Sequence, residues 1–322
     1  MVARVDSKVE IADVTASDLA TTAFDIGVWA AGYEKRSAWL ISSRYRPLSV
    51  ADWIRIEFEE DRAAHSAQET LGVKVGRLPN GGPGKRDWDG DWLSTWLREL
   101  RSAREKRDRT IDVFVDYSSM PRTVYGTLVM ACMRSGYVRS LTLSYTPGDH
   151  APEVNGSRRL DGLRPLVGLE GLPRHDREPA FVIGLGYDGC LSRALVEVFQ
   201  IGHFSVLYGD PSVVDGGVER ARRVNEALLD RAERVATAPA WSIGGSYLAT
   251  KALCDWYLPR RDVVVIALGP KPHVIGTLLV SMLNPQVGFR WIKTGQSRPV
   301  EVTVPDSAVP FVSRLESRSI PG

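Results

Sequence analysis

Few of the residues that fix a function by themselves occur in this chain. Its 322 residues include only three cysteines, Cys132, Cys190 and Cys254, far apart and without a Cys-x-x-Cys pair. Such spacing excludes a disulfide framework and a cysteine-based zinc site, and it reads each thiol as a small core residue in a reducing compartment. The five histidines are scattered. No His-x-x-x-His, Gly-x-Ser-x-Gly elbow or Walker loop is present, so the common metalloprotease, serine-hydrolase and nucleotide-hydrolase signatures are missing and no metal is called for. Charge of one sign is lacking too: 41 basic against 39 acidic residues leave +2, too close to neutral to announce non-specific nucleic-acid binding by itself, so any anion recognition must be local. No uninterrupted apolar run is long enough for a membrane span, because residues 263–283 are broken by Gly269-Pro270-Lys271-Pro272-His273. Residues 1–23 are polar and carry acids, unlike a secretory leader. A cytoplasmic protein without a membrane partner is expected.

What the chain does have is a repetition. An apolar strand runs into Gly-Tyr-acid twice, at Gly32-Tyr33-Glu34 and at Gly186-Tyr187-Asp188. Further on, Met120-Pro121-Arg122-Thr123-Val124-Tyr125-Gly126-Thr127-Leu128 lines up with Pro270-Lys271-Pro272-His273-Val274-Ile275-Gly276-Thr277-Leu278. The copies lie about 150 residues apart in the same order, far beyond the roughly 20–50-residue period of a solenoid, so a whole domain is duplicated. Composition is that of a globular protein, with 43% hydrophobic and 25% charged residues.

Strands alternate with helical patterns in both halves. The first half reads as strands over 25–31, 53–58, 111–116 and 138–145, with helices over 87–106 and 123–134. Trp88, Trp92 and Trp96 form a stripe on the first of these helices and are read as packing against the sheet. The second half reads as strands over 180–185, 204–208, 263–268 and 289–293, with helices over 191–200, 218–232, 247–257 and 273–283. The expected fold class is α/β: two tandem Rossmann-like three-layer domains with mostly parallel sheets and internal duplication. Residues 1–150 form the first repeat, 151–178 a linker with room for a short strand, and 179–322 the second repeat. Ligands of such sheets bind at strand carboxyl ends, where both repeated motifs fall.

Gly184-Leu185-Gly186-Tyr187-Asp188-Gly189 has the G-x-G-x-x-G spacing, and Asp210 follows the next strand, the pattern of a dinucleotide fingerprint. The first-half copy keeps Gly-Tyr-acid but drops the outer glycines, so the duplication retains the acid and not the phosphate cradle. Glu34 and Asp188 either cap their helices or accept hydrogen bonds from ribose or base groups, with Tyr33 and Tyr187 offering rings for stacking. The later loops have the complementary chemistry. Asp116-Tyr117-Ser118-Ser119-Met120-Pro121-Arg122 and Gly269-Pro270-Lys271-Pro272-His273 each lead from a strand into a helix, with hydroxyls or backbone amides beside a cation, which suits phosphate oxygens. Their bland alternative is a proline-stiffened turn with a solvated cation. His273 is the candidate for acid–base work, and Asp116 is either a base or an organiser of its neighbouring serine. Ser242-Ile243-Gly244-Gly245-Ser246-Tyr247 is a further polar loop before a helix.

The loop from Asp116 to Arg122 at a strand end resembles the signature loop of the CRISPR-associated Rossmann-fold (CARF) sensor domains, with Ser118-Ser119 where that family has glycines and Arg122 where it has lysine. The two-unit plan is similar to that of the related SAVED domains. The resemblance implies a cyclic oligonucleotide second messenger bound in a cleft between the two repeats, sensed on behalf of a separate effector protein in a prokaryotic defence or stress pathway. Phosphates would meet Arg122 and Lys271, assisted by Ser118, Ser119 and the Gly269 turn. Gly32, Tyr33, Glu34, Gly186, Tyr187 and Asp188 would meet sugar or base. A homo-oligomer is compatible with this plan. Two other readings stand beside it: a nicotinamide-dependent oxidoreductase built on Gly184, Gly186, Gly189 and Asp210, and a protein-interaction scaffold without a ligand. The motifs name no cofactor.

Overall fold

The computed structural model describes residues 2–6, 9–31, 48–57, 74–77, 91–148, 160–174, 176–294 and 309–317. The chain divides into two compact units, Met1–Val154 with Arg298–Gly322, and Asn155–Ser297.

In the first unit, β1 (Val2–Asp6), β2 (Val9–Val14) and α1 (Ala16–Thr21) precede β3 (Ala23–Ala31), β4 (Ser49–Glu57) and β5 (Lys74–Arg77). Then come α2 (Asp91–Arg107), β6 (Ile111–Asp116), α3 (Arg122–Arg134) and β7 (Val138–Tyr145). The second unit has β8 (Leu160–Pro165), β9 (Pro179–Gly184), α4 (Gly189–Val198), β10 (Phe204–Gly209), α5 (Gly217–Leu229), β11 (Val235–Ala238), α6 (Ile243–Tyr257), β12 (Asp262–Ala267), α7 (Lys271–Leu283) and β13 (Val287–Thr294). The last strand, β14 (Phe311–Ser317), returns to the first unit.

Each sheet has the same parallel strand plan. The first runs β5-β4-β3-β6-β7-β14-β2-β1 and the second β11-β10-β9-β12-β13-β8. Counting only the strands of each parallel core, both orders are third, second, first, fourth, fifth, followed by an antiparallel strand on the fifth. This is the Rossmann order with its switch point between the first and fourth strands, β3/β6 and β9/β12. The duplication read from the motifs is therefore present strand by strand.

Burial follows from that order. Central β6 has all six residues buried, and α3 buries every residue from Val124 to Cys132. α7 does the same from Pro272 to Ser281. A strand covered on both faces reads as a continuous apolar run, as Val263 to Leu268 does. Each such Val, Leu or Ile contributes about 1.5–3 kcal/mol through removal from water.

The expected boundaries need correction. The short strand allowed for in the linker is β8, but it belongs to the second unit's sheet, where it pairs antiparallel with β13. The chain end assigned to the second repeat supplies β14, paired on one side with β7 and on the other with β2. Phe311, Val312 and Leu315 complete the first unit's core edge, so its chain is discontinuous. Of the cysteines, Cys132 and Cys254 are buried as expected, and burial pushes the Cys132 thiol up to about 12. Cys190 departs from the reading and is exposed on the first turn of α4. Trp96 is packed inside, whereas Trp88 and the side chain of Trp92 lie outside the described residues.

Candidate functional site

The strand-to-helix turns at the sheets' carboxyl edges carry most of the candidate residues. Gly32, Tyr33 and Glu34 lie outside the described residues.

In the first unit, Asp116 ends β6 almost fully buried. Its Oδ1 accepts the Ser118 backbone N–H at 2.9 Å and the Ser118 hydroxyl as well. The Ser118 oxygen in turn accepts the Thr146 backbone N–H at 2.8 Å. This is an Asx turn riveted to the end of β7, and it takes Asp116 and Ser118 inward. Tyr117 stacks on Tyr145 with centroids 5.6 Å apart and tilts against Tyr125 at 5.3 Å. Burial raises the hydroxyls of Tyr117 and Tyr125 well above the ordinary tyrosine range; at Tyr125 the neighbouring Arg122 guanidinium opposes that shift. Of the loop's candidates, Arg122 remains partly exposed, whereas Ser119 is half-buried with its hydroxyl oxygen closed to solvent. Arg122 is the first residue of α3.

In the second unit two of the three fingerprint glycines, Gly186 and Gly189, are accounted for by packing. A Cβ on Gly186 would lie 2.8 Å from the Leu268 carbonyl oxygen, and one on Gly189 only 1.8 Å from the Val224 oxygen of α5. Asp188 is the N-cap of α4, its carboxylate accepting the Leu191 N–H at 3.0 Å. That places negative charge where a dinucleotide phosphate would sit. The Tyr187 hydroxyl is 3.0 Å from Ser212 Oγ, and the Arg220 guanidinium lies 5.0 Å from the centre of its ring. Asn225, which carries no sequence signal and stands 39 residues away, donates to the Gly186 carbonyl at 2.8 Å and holds the turn. Asp210 follows β10 half-buried, and its backbone N–H donates to Ala238.

The β12–α7 turn is different. Pro270 is the N-cap of α7 with φ −53° and ψ 150°, and Lys271 opens the helix. Pro121 caps α3 with φ −58° and ψ 150°, and Arg122 opens it. Neither cap supplies a side-chain acceptor, in contrast to Thr15, Asp188 and Ser242 on α1, α4 and α6. The helix starts thus pair cation with cation, one residue out of step with the sequence match, and pair His273 with Val124 rather than Thr123.

His273 accordingly behaves as a core residue. It is 1% exposed, and its Nε2 lies 3.0 Å from the Pro239 carbonyl, to which the neutral ring donates. Burial lowers its pKa to about 4, against the carbonyls of Pro239 and Ala238, which raise it. It is uncharged near neutrality and closed to solvent, so acid–base work is not open to it. Its folded pKa lies below the unfolded value of about 6.5, so the unfolded chain takes up the proton first. Stability of the second unit is full above pH 6.5 and falls as pH drops from there towards 4, by about 3 kcal/mol in all. Urea titrations across this range should show that slope in the native chain and lose it in His273→Gln.

No family model matches the chain, and no curated protein matches it. Among solved structures, a chain titled GsuK Channel is similar at 14% identity with a TM-score of 0.19. The match covers 82% of this chain and 64% of that one. Among the described residues, no helix is long and apolar enough to cross a membrane.

Proposed function

We propose that this chain binds a phosphate-containing, nucleotide-type ligand at the carboxyl edges of its parallel sheets. It would serve as a sensor that acts through a separate effector protein. One observation carries the reading: in both units the helix after the fourth strand begins with proline as cap and a cation next, without a side-chain hydrogen bond from the cap residue. Helix ends of this kind, flanked by Arg or Lys and placed beside the switch point of the sheet, suit phosphate oxygens. The likeness of the Asp116–Arg122 loop to the CARF signature adds the ligand class, a cyclic oligonucleotide, and the setting of a prokaryotic defence or stress response. Asp116 and Ser118 would shape that loop from within, leaving contact to Arg122, Lys271 and the Gly269 turn.

Calorimetry with a panel of cyclic and linear nucleotides tests the reading. Arg122→Glu and Lys271→Glu should each weaken binding at least about tenfold, the worth of a charge-assisted hydrogen bond, while unfolding midpoints hold. Unchanged affinity in both variants overturns it.

The oxidoreductase alternative sits poorly with the carboxylate of Asp188 in the first turn of α4 and with the Leu268 carbonyl against Gly186. Absence of NAD(P)H fluorescence enhancement on mixing would dispose of it. The same self-packing of the β9 turn favours the scaffold reading, under which no nucleotide in the panel shifts the melting temperature.

A further inference from the structure

A cavity of about 530 Å³ opens on the first unit, between α2, from Leu93 to Arg101, and the carboxyl-terminal half of α3. Ser135 and Tyr137 of its lining lead into β7, so it lies towards the amino end of that strand, the opposite edge of the sheet from the Arg122 turn. Leu97, Met130 and Ala131 are among the residues of its floor, and three guanidinium groups, Arg98, Arg101 and Arg134, stand at its rim. Met130 supplies an adaptable thioether, and Arg134 rests on it with Nη1 3.8 Å from the sulfur. Arg98 donates to the Thr95 hydroxyl of its own helix at 3.0 Å. Arg101 pairs with Glu105, but the two side chains are 65% and 57% exposed, so that pair is easily exchanged for another anion.

We propose that this cavity is a binding site for an amphipathic organic anion, an acyl carboxylate whose chain lies on the Leu97–Met130 floor and whose head group meets the arginines. Size selects a small ligand over a protein: the volume falls within the range of about 300–1,000 Å³ for small-molecule sites. The lining is far smaller than the 20–30 residues a side of an ordinary protein interface. Charge selects the head group. The carbonyl end of α3 is itself negative, so anion preference rests on the three guanidinium groups, and bidentate carboxylate recognition is what they do best.

Titration calorimetry with sodium decanoate, and with decyltrimethylammonium as the chain-matched cation, provides the test. Decanoate should bind saturably and the cation should not. In Arg98→Glu/Arg134→Glu, both exposed positions, decanoate affinity should fall at least about tenfold without a change in melting temperature. Methyl spectra of the native chain should show the Met130 signal moving with decanoate. The site is refuted by absence of saturable decanoate binding, by equal binding of the cation, or by affinity indifferent to the double reversal. Arginine-dependent binding of anionic vesicles or an acidic amphipathic peptide that decanoate does not displace refutes it as well, since the surface is then an interface.

Discussion

Asp25→Asn will destabilise the first unit by about 3 kcal/mol, the lower end of what removal of one partner from a buried ion pair costs. Asp25 sits at the amino edge of the sheet, 6% exposed. Its carboxylate receives the Arg107 Nε at 2.7 Å, a two-pronged Arg109 at 2.9 Å on each oxygen, and the Asp112 backbone N–H at 2.9 Å. Arg107 also reaches Asp52 on β4, while Asp112 holds Arg139 and the Ser140 hydroxyl. The network thus ties β3, β4, β6 and β7 together with the last residue of α2. Asparagine keeps the shape and removes the charge, so no cavity term enters, and Arg107, at 16% side-chain exposure, is left without its nearest counter-ion. The half-exposed Arg109 can turn to water, which is why the low end applies. Urea unfolding should show an earlier first transition and an unmoved second one, with Arg101→Ala, on an exposed pair, shifting neither. A midpoint that stays in place in Asp25→Asn sinks the argument.

The parallel core was legible in the sequence because strands buried on both faces must be apolar throughout. Val113 to Val115, Val182 to Leu185 and Val263 to Leu268 announce themselves in this way. Elements at the sheet margins were not. β11 spans four residues of Val-Ala-Thr-Ala with mostly exposed or half-exposed side chains, and β8 contains Gly162 and ends at Pro165, so neither shows a period. β14 reads as a strand only once β7 and β2 are known to lie on either side. The cations of the candidate site were found from the repeat, but its register was set by glycines that pack, Gly126 and Gly276, and so slipped by one at the helix starts. The inward turn of Ser118 could not be read either. It depends on Thr146, at the end of the neighbouring strand, donating to its hydroxyl oxygen.

The glycines of the second-unit fingerprint will rank by packing and not by ligand contact. An added Cβ finds its nearest neighbour 3.5 Å away at Gly184, 2.8 Å at Gly186 and 1.8 Å at Gly189. None of the three needs a left-handed backbone, so alanine is excluded only by space. Gly184→Ala should be neutral or slightly stabilising, since it also stiffens the unfolded chain. Gly186→Ala should cost a moderate amount. Gly189→Ala should cost about 3 kcal/mol or more, because the obstacle is the main-chain carbonyl of Val224, which cannot rotate away as a side chain would. α5 cannot retreat freely either: the next residue, Asn225, donates to the Gly186 carbonyl and fastens α5 to the very turn that α4 leaves. Thermal melts of the three variants should fall in that order. A dinucleotide site would instead put its largest defect at Gly186, as lost affinity in a protein of normal stability, because the middle glycine is the one a pyrophosphate approaches. That pattern would reinstate the oxidoreductase reading and remove the packing account of this turn.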